Sequence, residues 1–134
     1  MRILHVTWQM HPSTGGPPRV VSRLAAAQAK AGLDVRVVAY DGGDGNAATA
    51  EMNATIPYCD RVQFSYIPVG GRLESIFARN AKRVLPELID QADVVHLHGV
   101  WYPILLAAAT EARRQGKPYF VQPNGMLDPW TLSQ

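Results

Sequence analysis

The sequence predicts an α/β protein, a doubly wound parallel sheet, and three observations carry that expectation. Short apolar runs of strand length alternate along the chain with segments whose apolar residues recur at helical spacing. The first run, residues 3–8, is mostly apolar without a break, as expected of a strand buried on both faces. The 134 residues, 47% hydrophobic and 18% charged, suffice for one domain around one core. The element order strand, helix, strand, loop, strand, helix, strand, helix, strand implies right-handed crossovers and the strand order 3-2-1-4-5.

After the first strand the chemistry changes abruptly. Residues 9–18 hold Pro12, Ser13, Thr14, Gly15, Gly16, Pro17 and Pro18, a loop leading into a helix over 19–31 in which Val20, Val21, Leu24, Ala27 and Ala31 share a face. Pro18 suits the first helical turn, and Gly32 suits the position that closes the helix. Residues 34–40, centred on Val35, Val37, Val38 and Ala39, form the second strand. Residues 41–60 are rich in glycine, Asn46, Asn53 and Pro57, which predicts a mobile surface loop, with a short helix over 47–54 as the alternative. The third strand covers 61–69.

Residues 73–91 carry Leu73, Ile76, Phe77, Ala81, Val84, Leu85, Leu88 and Ile89, an amphipathic pattern that Pro86 should kink or divide. Residues 93–98 form the fourth strand. An Ala- and Leu-rich helix over 103–115 closes near Gly116, and a fifth strand over 119–122 runs into Pro123-Asn124-Gly125. The final residues, from Asp128 to Gln134, read as the opening of a further helix cut short, so the chain is expected to be truncated.

Charge and cysteine usage narrow the function classes. Thirteen basic and eleven acidic residues give a net charge of +2 spread along the sequence, so no basic face points to nucleic acid. The single cysteine, Cys59, excludes an internal disulfide and reads as an incidental loop thiol in a reducing compartment. No segment has the length of a membrane span or of a signal-peptide core. These features predict a cytoplasmic protein, any membrane contact being peripheral, at the inner face.

In an open parallel sheet, ligands sit beyond the carboxyl ends of the strands where the order reverses, here after the first and fourth strands. After the first comes Gly15-Gly16 ahead of a helix, where small residues and the helix dipole favour a phosphate; the plain alternative is a turn into the helix. The spacing matches neither the three-glycine dinucleotide fingerprint nor a Walker A loop. Arg19, a cation on the first helical turn, opposes the dipole and so suits a diphosphate or an acidic acceptor.

After the fourth strand comes His96-Leu97-His98-Gly99, with both histidines on one side of the strand. No carboxylate or cysteine is placed to complete a metal set, so no metal is expected. His96 reads as a hydrogen-bonded interior residue and His98 as facing the cleft, with an interior His98 the alternative. Trp101, Tyr102 and Trp130 follow strand ends and can stack on a sugar ring or pack as core. Asn124 can hydrogen-bond sugar hydroxyls, although Asn-Gly is also a turn signal. Neither a Ser/His/Asp order nor a pair of acids on one short element supports a hydrolase.

Taken together, these residues resemble the N-terminal, Rossmann-like domain of the GT4 family of glycosyltransferases, which have the GT-B fold. The resemblance rests on the first strand with Gly15-Gly16, on Ala31-Gly32-Leu33-Asp34-Val35, on Asp93-Val94-Val95-His96-Leu97-His98-Gly99, and on Pro123-Asn124-Gly125-Met126-Leu127-Asp128-Pro129-Trp130. The last is similar to a Pro-Arg-Gly-Met-Leu-Glu-Pro-Trp pattern of bacterial enzymes of surface polysaccharide assembly. Asn124 stands where that pattern has Arg, and Leu33-Asp34 where many members have Gly-His-x-Val.

The resemblance implies a retaining transfer from a nucleotide-sugar to a cell-surface glycan or lipid-linked acceptor, with no cofactor or metal and the nucleotide-sugar as substrate. It implies that Gly15, Gly16 and Arg19 approach the donor diphosphate, that His98 lies beside the donor sugar, and that Trp101, Tyr102 and Asn124 meet the acceptor. The family's Glu, seven residues, Glu signature belongs to a C-terminal donor-binding domain and is absent from these 134 residues, so they should not catalyse transfer alone. The alternative is a stand-alone flavodoxin-like binding or regulatory module.

Overall fold

A computed structural model describes residues 1–11 and 15–134. Five strands, β1 (Arg2–Gln9), β2 (Asp34–Asp41), β3 (Gln63–Pro68), β4 (Val94–His98) and β5 (Tyr119–Gln122), pair in the order β3-β2-β1-β4-β5. All pairings are parallel, so the expected architecture and strand order are both observed. The helices are α1 (Gly16–Lys30), α2 (Gly45–Thr55), α3 (Arg72–Phe77), α4 (Arg79–Asp90), α5 (Pro103–Arg114) and the short α6 (Pro129–Leu132).

Strand alternation divides the core into two layers. Leu4, Val6, Val38, Val95 and Leu97 pack against Leu85, Ile89, Ile104, Ala108 and Ala112 of α4 and α5. Val35, Val37 and Ala39 face Val21, Ala25, Ala26 and Ala29 of α1 and Met52 of α2. His5, His96 and His98 are buried at positions that alternate with Leu4, Val6, Val95 and Leu97, which puts them on the α1 side of the sheet.

Residues 41–60 are not a long irregular loop. Most of the stretch is α2, wider than the short helix of the alternative reading, followed by a 3₁₀ turn at Cys59–Arg61. Asp41 Oδ1 accepts hydrogen bonds from the amides of Gly43 and Gly45, which ties the end of β2 to the start of the helix. Ala48 and Met52 are buried, and Thr49 Oγ1 lies 2.7 Å from the Tyr66 hydroxyl. Cys59 is fully buried in the α1-side core rather than being an incidental loop thiol, and burial, then the nearby Asp60 charge, pushes its thiol pKa up.

The amphipathic segment divides at Ala78, not at Pro86. Ala78 is completely buried and adopts the left-handed conformation at φ 50°, ending α3 and starting α4. Glu74, buried in α3, accepts hydrogen bonds from the amides of Asn80 (2.6 Å) and Ala81 (3.2 Å), the otherwise unpaired donors at the new helix start. Pro86 stays inside α4, flanked by the buried Leu85 and Ile89. Their burial against the sheet offsets the roughly 3 kcal/mol that an interior proline costs a helix.

Candidate functional site at the carboxyl edge of the sheet

β1 and β4 are neighbours, with His5 opposite His96 and Val6 opposite Leu97, so the sheet order reverses between them. The segments that leave these two strands therefore share one crevice edge, where the sequence motifs fall.

On the β1 side, Pro12, Ser13 and Thr14 of the expected loop lie outside the described residues. Gly15 precedes α1 with φ +102°, a conformation that favours glycine, while Gly16 has ordinary dihedrals and open space where a Cβ would stand. Both are exposed, and no side-chain hydrogen bond caps α1. Pro17 and Pro18 follow and carry no N–H, and the Arg19 amide is placed for the first bond of the helix ladder, so the amides this end can offer are those of Gly15 and Gly16. Arg19 is exposed and lines a groove of about 250 Å³ with Met10, Ser22, Arg23, Glu51 and Met52.

On the β4 side, both histidines are buried, and the interior hydrogen bond expected of His96 belongs to His98. His98, expected to face the cleft, is 1% exposed, and its Nε2 lies 2.8 Å from Nδ1 of His5. His96, expected to be a hydrogen-bonded interior residue, is buried, but neither ring nitrogen has a well-formed partner. Its ring is held by stacking, 4.0 Å from the His98 ring and 4.1 Å from Phe120. Burial first, and then the neighbouring imidazoles, lower His98 to about 3. Burial and then His5 lower His96 to about 4, with Gln122 pulling weakly the other way. Burial lowers His5 as well, opposed by its hydrogen bond with Gln28.

His5, His96 and His98 bring ligand-capable atoms within 4.8 Å of one another. Three imidazoles are a donor set suited to zinc or copper, but the group includes no carboxylate or thiolate. A divalent cation there would be buried without counter-charge, at high cost.

The aromatic residues divide. Trp101 is 64% exposed and free to stack on a ligand. The Tyr102 ring stacks on Trp8 at 4.9 Å, and Trp8 meets Tyr40 edge-on at 5.0 Å, so Tyr102 is held in a packed aromatic row. Asn124 has φ 52° in the turn after β5, next to Gly125 at φ 83°, and its Nδ2 is buried without a partner. Asn124, Gly125, Met126, Asp128, Trp130 and Thr131 line an open hollow, with Trp130 71% exposed. Met126 lies over Gly99, where a Cβ would stand 3.2 Å from its Sδ. The loops after β4 and β5 therefore meet.

His5 and Gln28 escaped the sequence reading. The parity of His5 within an apolar strand was visible, but its meeting with His98 depends on the β1–β4 register. Gln28 looks like any polar helix residue until α1 is laid on the sheet.

Among the described residues no helix is long and apolar enough to cross a membrane. No curated protein sequence matches the chain. Among solved structures, the C-terminal domain of a hydrogenase from Pyrococcus furiosus matches with a TM-score of 0.62 at 16% identity, each chain covered to 90%. A ugt transferase from Siraitia grosvenorii, in complex with UDP, matches with a TM-score of 0.55 at 15% identity over 90% of this chain and 27% of that one. A Listeria monocytogenes protein assigned as a UDP-N-acetylglucosamine 2-epimerase gives 0.54 at 17% identity, over 90% of this chain and 29% of that one. At such identities these neighbours show a shared fold, and this chain spans under a third of the latter two. The model of the glycosyl transferase 4-like domain matches residues 15–134, nearly the whole sequence, and the chain belongs to that family.

Proposed function

We propose that this chain is the acceptor-side, N-terminal domain of a retaining glycosyltransferase that moves a hexose from a nucleotide-sugar to a cell-surface glycan or lipid-linked acceptor. The observation that carries the reading is the family match over residues 15–134, together with the gathering of the motif loops on one sheet edge. In the full-length enzyme a second α/β domain faces this edge and binds most of the donor. Gly15 and Gly16 let the diphosphate approach the start of α1, and Arg19 supplies a positive charge beside it.

His98 lies at the strand end near the sugar, its ring buried against His5, and Trp101, Tyr102 and Asn124 border the acceptor. Tyr102 acts there through its edge, because one face is stacked on Trp8. In this scheme the acceptor hydroxyl attacks the face from which the diphosphate departs, with positioning and electrostatics as the protein's contribution. No metal or cofactor takes part. The enzyme works in the cytoplasm, with peripheral contact at the inner membrane face where the acceptor is lipid-linked.

The test is to incubate the full-length protein with a panel of nucleotide-sugars and a lipid-linked or oligosaccharide acceptor, and to read the anomeric configuration of the product by NMR. Transfer with the donor's configuration kept is the expected result. Inversion would remove the retaining mechanism, and failure to bind or turn over any nucleotide-sugar would remove the enzyme reading.

A further inference from the structure

The groove that Arg19 lines does not end at Met52. A second hollow of about 430 Å³, reaching Lys30 and Tyr58, shares Arg23, Thr55 and Ile56 with the first, so the two form one channel between α1 and the α2 end of the domain. Arg19, Arg23 and Lys30 follow one another on α1 at intervals of four and seven residues, which puts them on a single face. All three are exposed, and the row spans roughly 16 Å of helix.

Among the described residues none of these cations, nor Arg61, forms an ion pair. Glu51, near Arg19, is the one acid that lines the channel. At the far end Tyr58 adopts the left-handed conformation at φ 67°, which is costly for a bulky side chain. Its ring holds two cations from different elements, with Lys30 Nζ 5.3 Å and Arg61 Cζ 5.1 Å from the ring centroid. The floor beneath the charges is apolar and sunken, with Met10, Ala26 and Met52 buried. A bilayer requires apolar side chains that protrude, so the shape disfavours a membrane. It suits a chain of sugar rings, whose C–H faces meet the floor while carboxylates reach the cations on the rim.

We propose that this channel binds an acidic oligosaccharide, whose carboxylates pair with Arg23 and Lys30, as the distal part of the acceptor. The inference rests on the proposed function for the word acceptor: the channel opens beside Arg19, at the carboxyl edge where transfer is assigned. It adds the charge of the acceptor and the residues that select it.

The test is calorimetric titration of the full-length protein with oligogalacturonate and with a neutral malto-oligosaccharide of equal length. Oligogalacturonate should bind, and the neutral chain should bind far more weakly. The double variant Arg23→Gln, Lys30→Gln removes two charge-assisted contacts and should weaken oligogalacturonate about tenfold or more. Both side chains are exposed, so the melting temperature should stay unchanged. Glu51→Gln should tighten binding, because it removes the opposing charge. In transfer assays the double variant should raise KM for an acidic acceptor and leave the donor KM unchanged.

Equal affinity for the acidic and neutral chains, or unchanged affinity in the double variant, would overturn the proposal. So would phosphatidylglycerol vesicles or a single-stranded oligonucleotide binding through Arg23 and Lys30 while oligogalacturonate does not, which would assign a lipid surface or a nucleic acid instead. If oligogalacturonate binds and the double variant releases it, yet no nucleotide-sugar is turned over, the channel stands and the transferase reading falls.

Discussion

The hydroxyl of Tyr40, at the end of β2, donates a 2.6 Å hydrogen bond to Glu74 Oε1, and that same carboxylate caps the start of α4. One buried acid thereby joins the sheet edge to a helix break. Burial alone would raise its pKa, but the bonds from Tyr40 and from the amides of Asn80, Ala81 and Arg79 outweigh that effect and hold it below the ordinary range.

Glu74→Ala should therefore destabilise the protein by about 3 kcal/mol, and Glu74→Gln by clearly less, because the amide oxygen still accepts. A group with a depressed folded pKa adds stability above its unfolded pKa and loses it as pH falls through the folded value. The difference between wild type and Glu74→Gln should accordingly shrink in acid, below the usual glutamate range. Denaturant unfolding of the variants checks both statements, and a loss well under 1 kcal/mol in Glu74→Ala would remove the capping role.

The histidine cluster predicts an earlier acid sensitivity. His5, His96 and His98 are buried as neutral rings with lowered pKa values, whereas in the unfolded chain they protonate near pH 6.5. Below that pH the unfolded state binds more protons, so stability falls as pH drops. Each histidine contributes about 1.4 kcal/mol per pH unit until its folded pKa is reached. Unfolding free energies measured from about pH 7.5 down to about pH 5 should decline steeply; a flat profile would mean that the cluster is already charged or solvated.

Gly15 and Gly16 should respond oppositely to substitution. Gly16 has ordinary dihedrals and nothing within 4 Å of a Cβ, so Gly16→Leu should leave stability within about 0.5 kcal/mol while, under the proposed function, weakening nucleotide-sugar binding. Gly15, at φ +102°, should lose about 1–2 kcal/mol on change to Ala. Thermal unfolding paired with donor titration separates the two, and unchanged donor affinity in Gly16→Leu would argue against a diphosphate there.

Gly45 tests why α2 begins where it does. A Cβ there would stand 2.8 Å from the Tyr66 ring, so Gly45→Ala should cost about 1–3 kcal/mol despite the better helix propensity of alanine. A stabilised variant would show that the ring moves freely.

Strand and helix periodicity in the sequence was enough to determine the five-stranded parallel sheet, its order and the loops that share its carboxyl edge. Those features depend on which residues are apolar and on chain direction, both of which are local. The motifs around Gly15-Gly16, His98 and Asn124 were legible for the same reason. Periodicity did not reveal that the helical pattern breaks at Ala78, because the cause is a carboxylate that also bonds Tyr40 from another element.

Nor could it show that Tyr102 packs on Trp8, or that His98 turns inward to His5 and Gln28. Those outcomes follow from the register of β1 against β4 and from the seating of α1 on the sheet. A histidine's protonation and tautomer depend on burial and on the atoms it meets, and residues 23 and 93 positions apart in sequence supply those atoms.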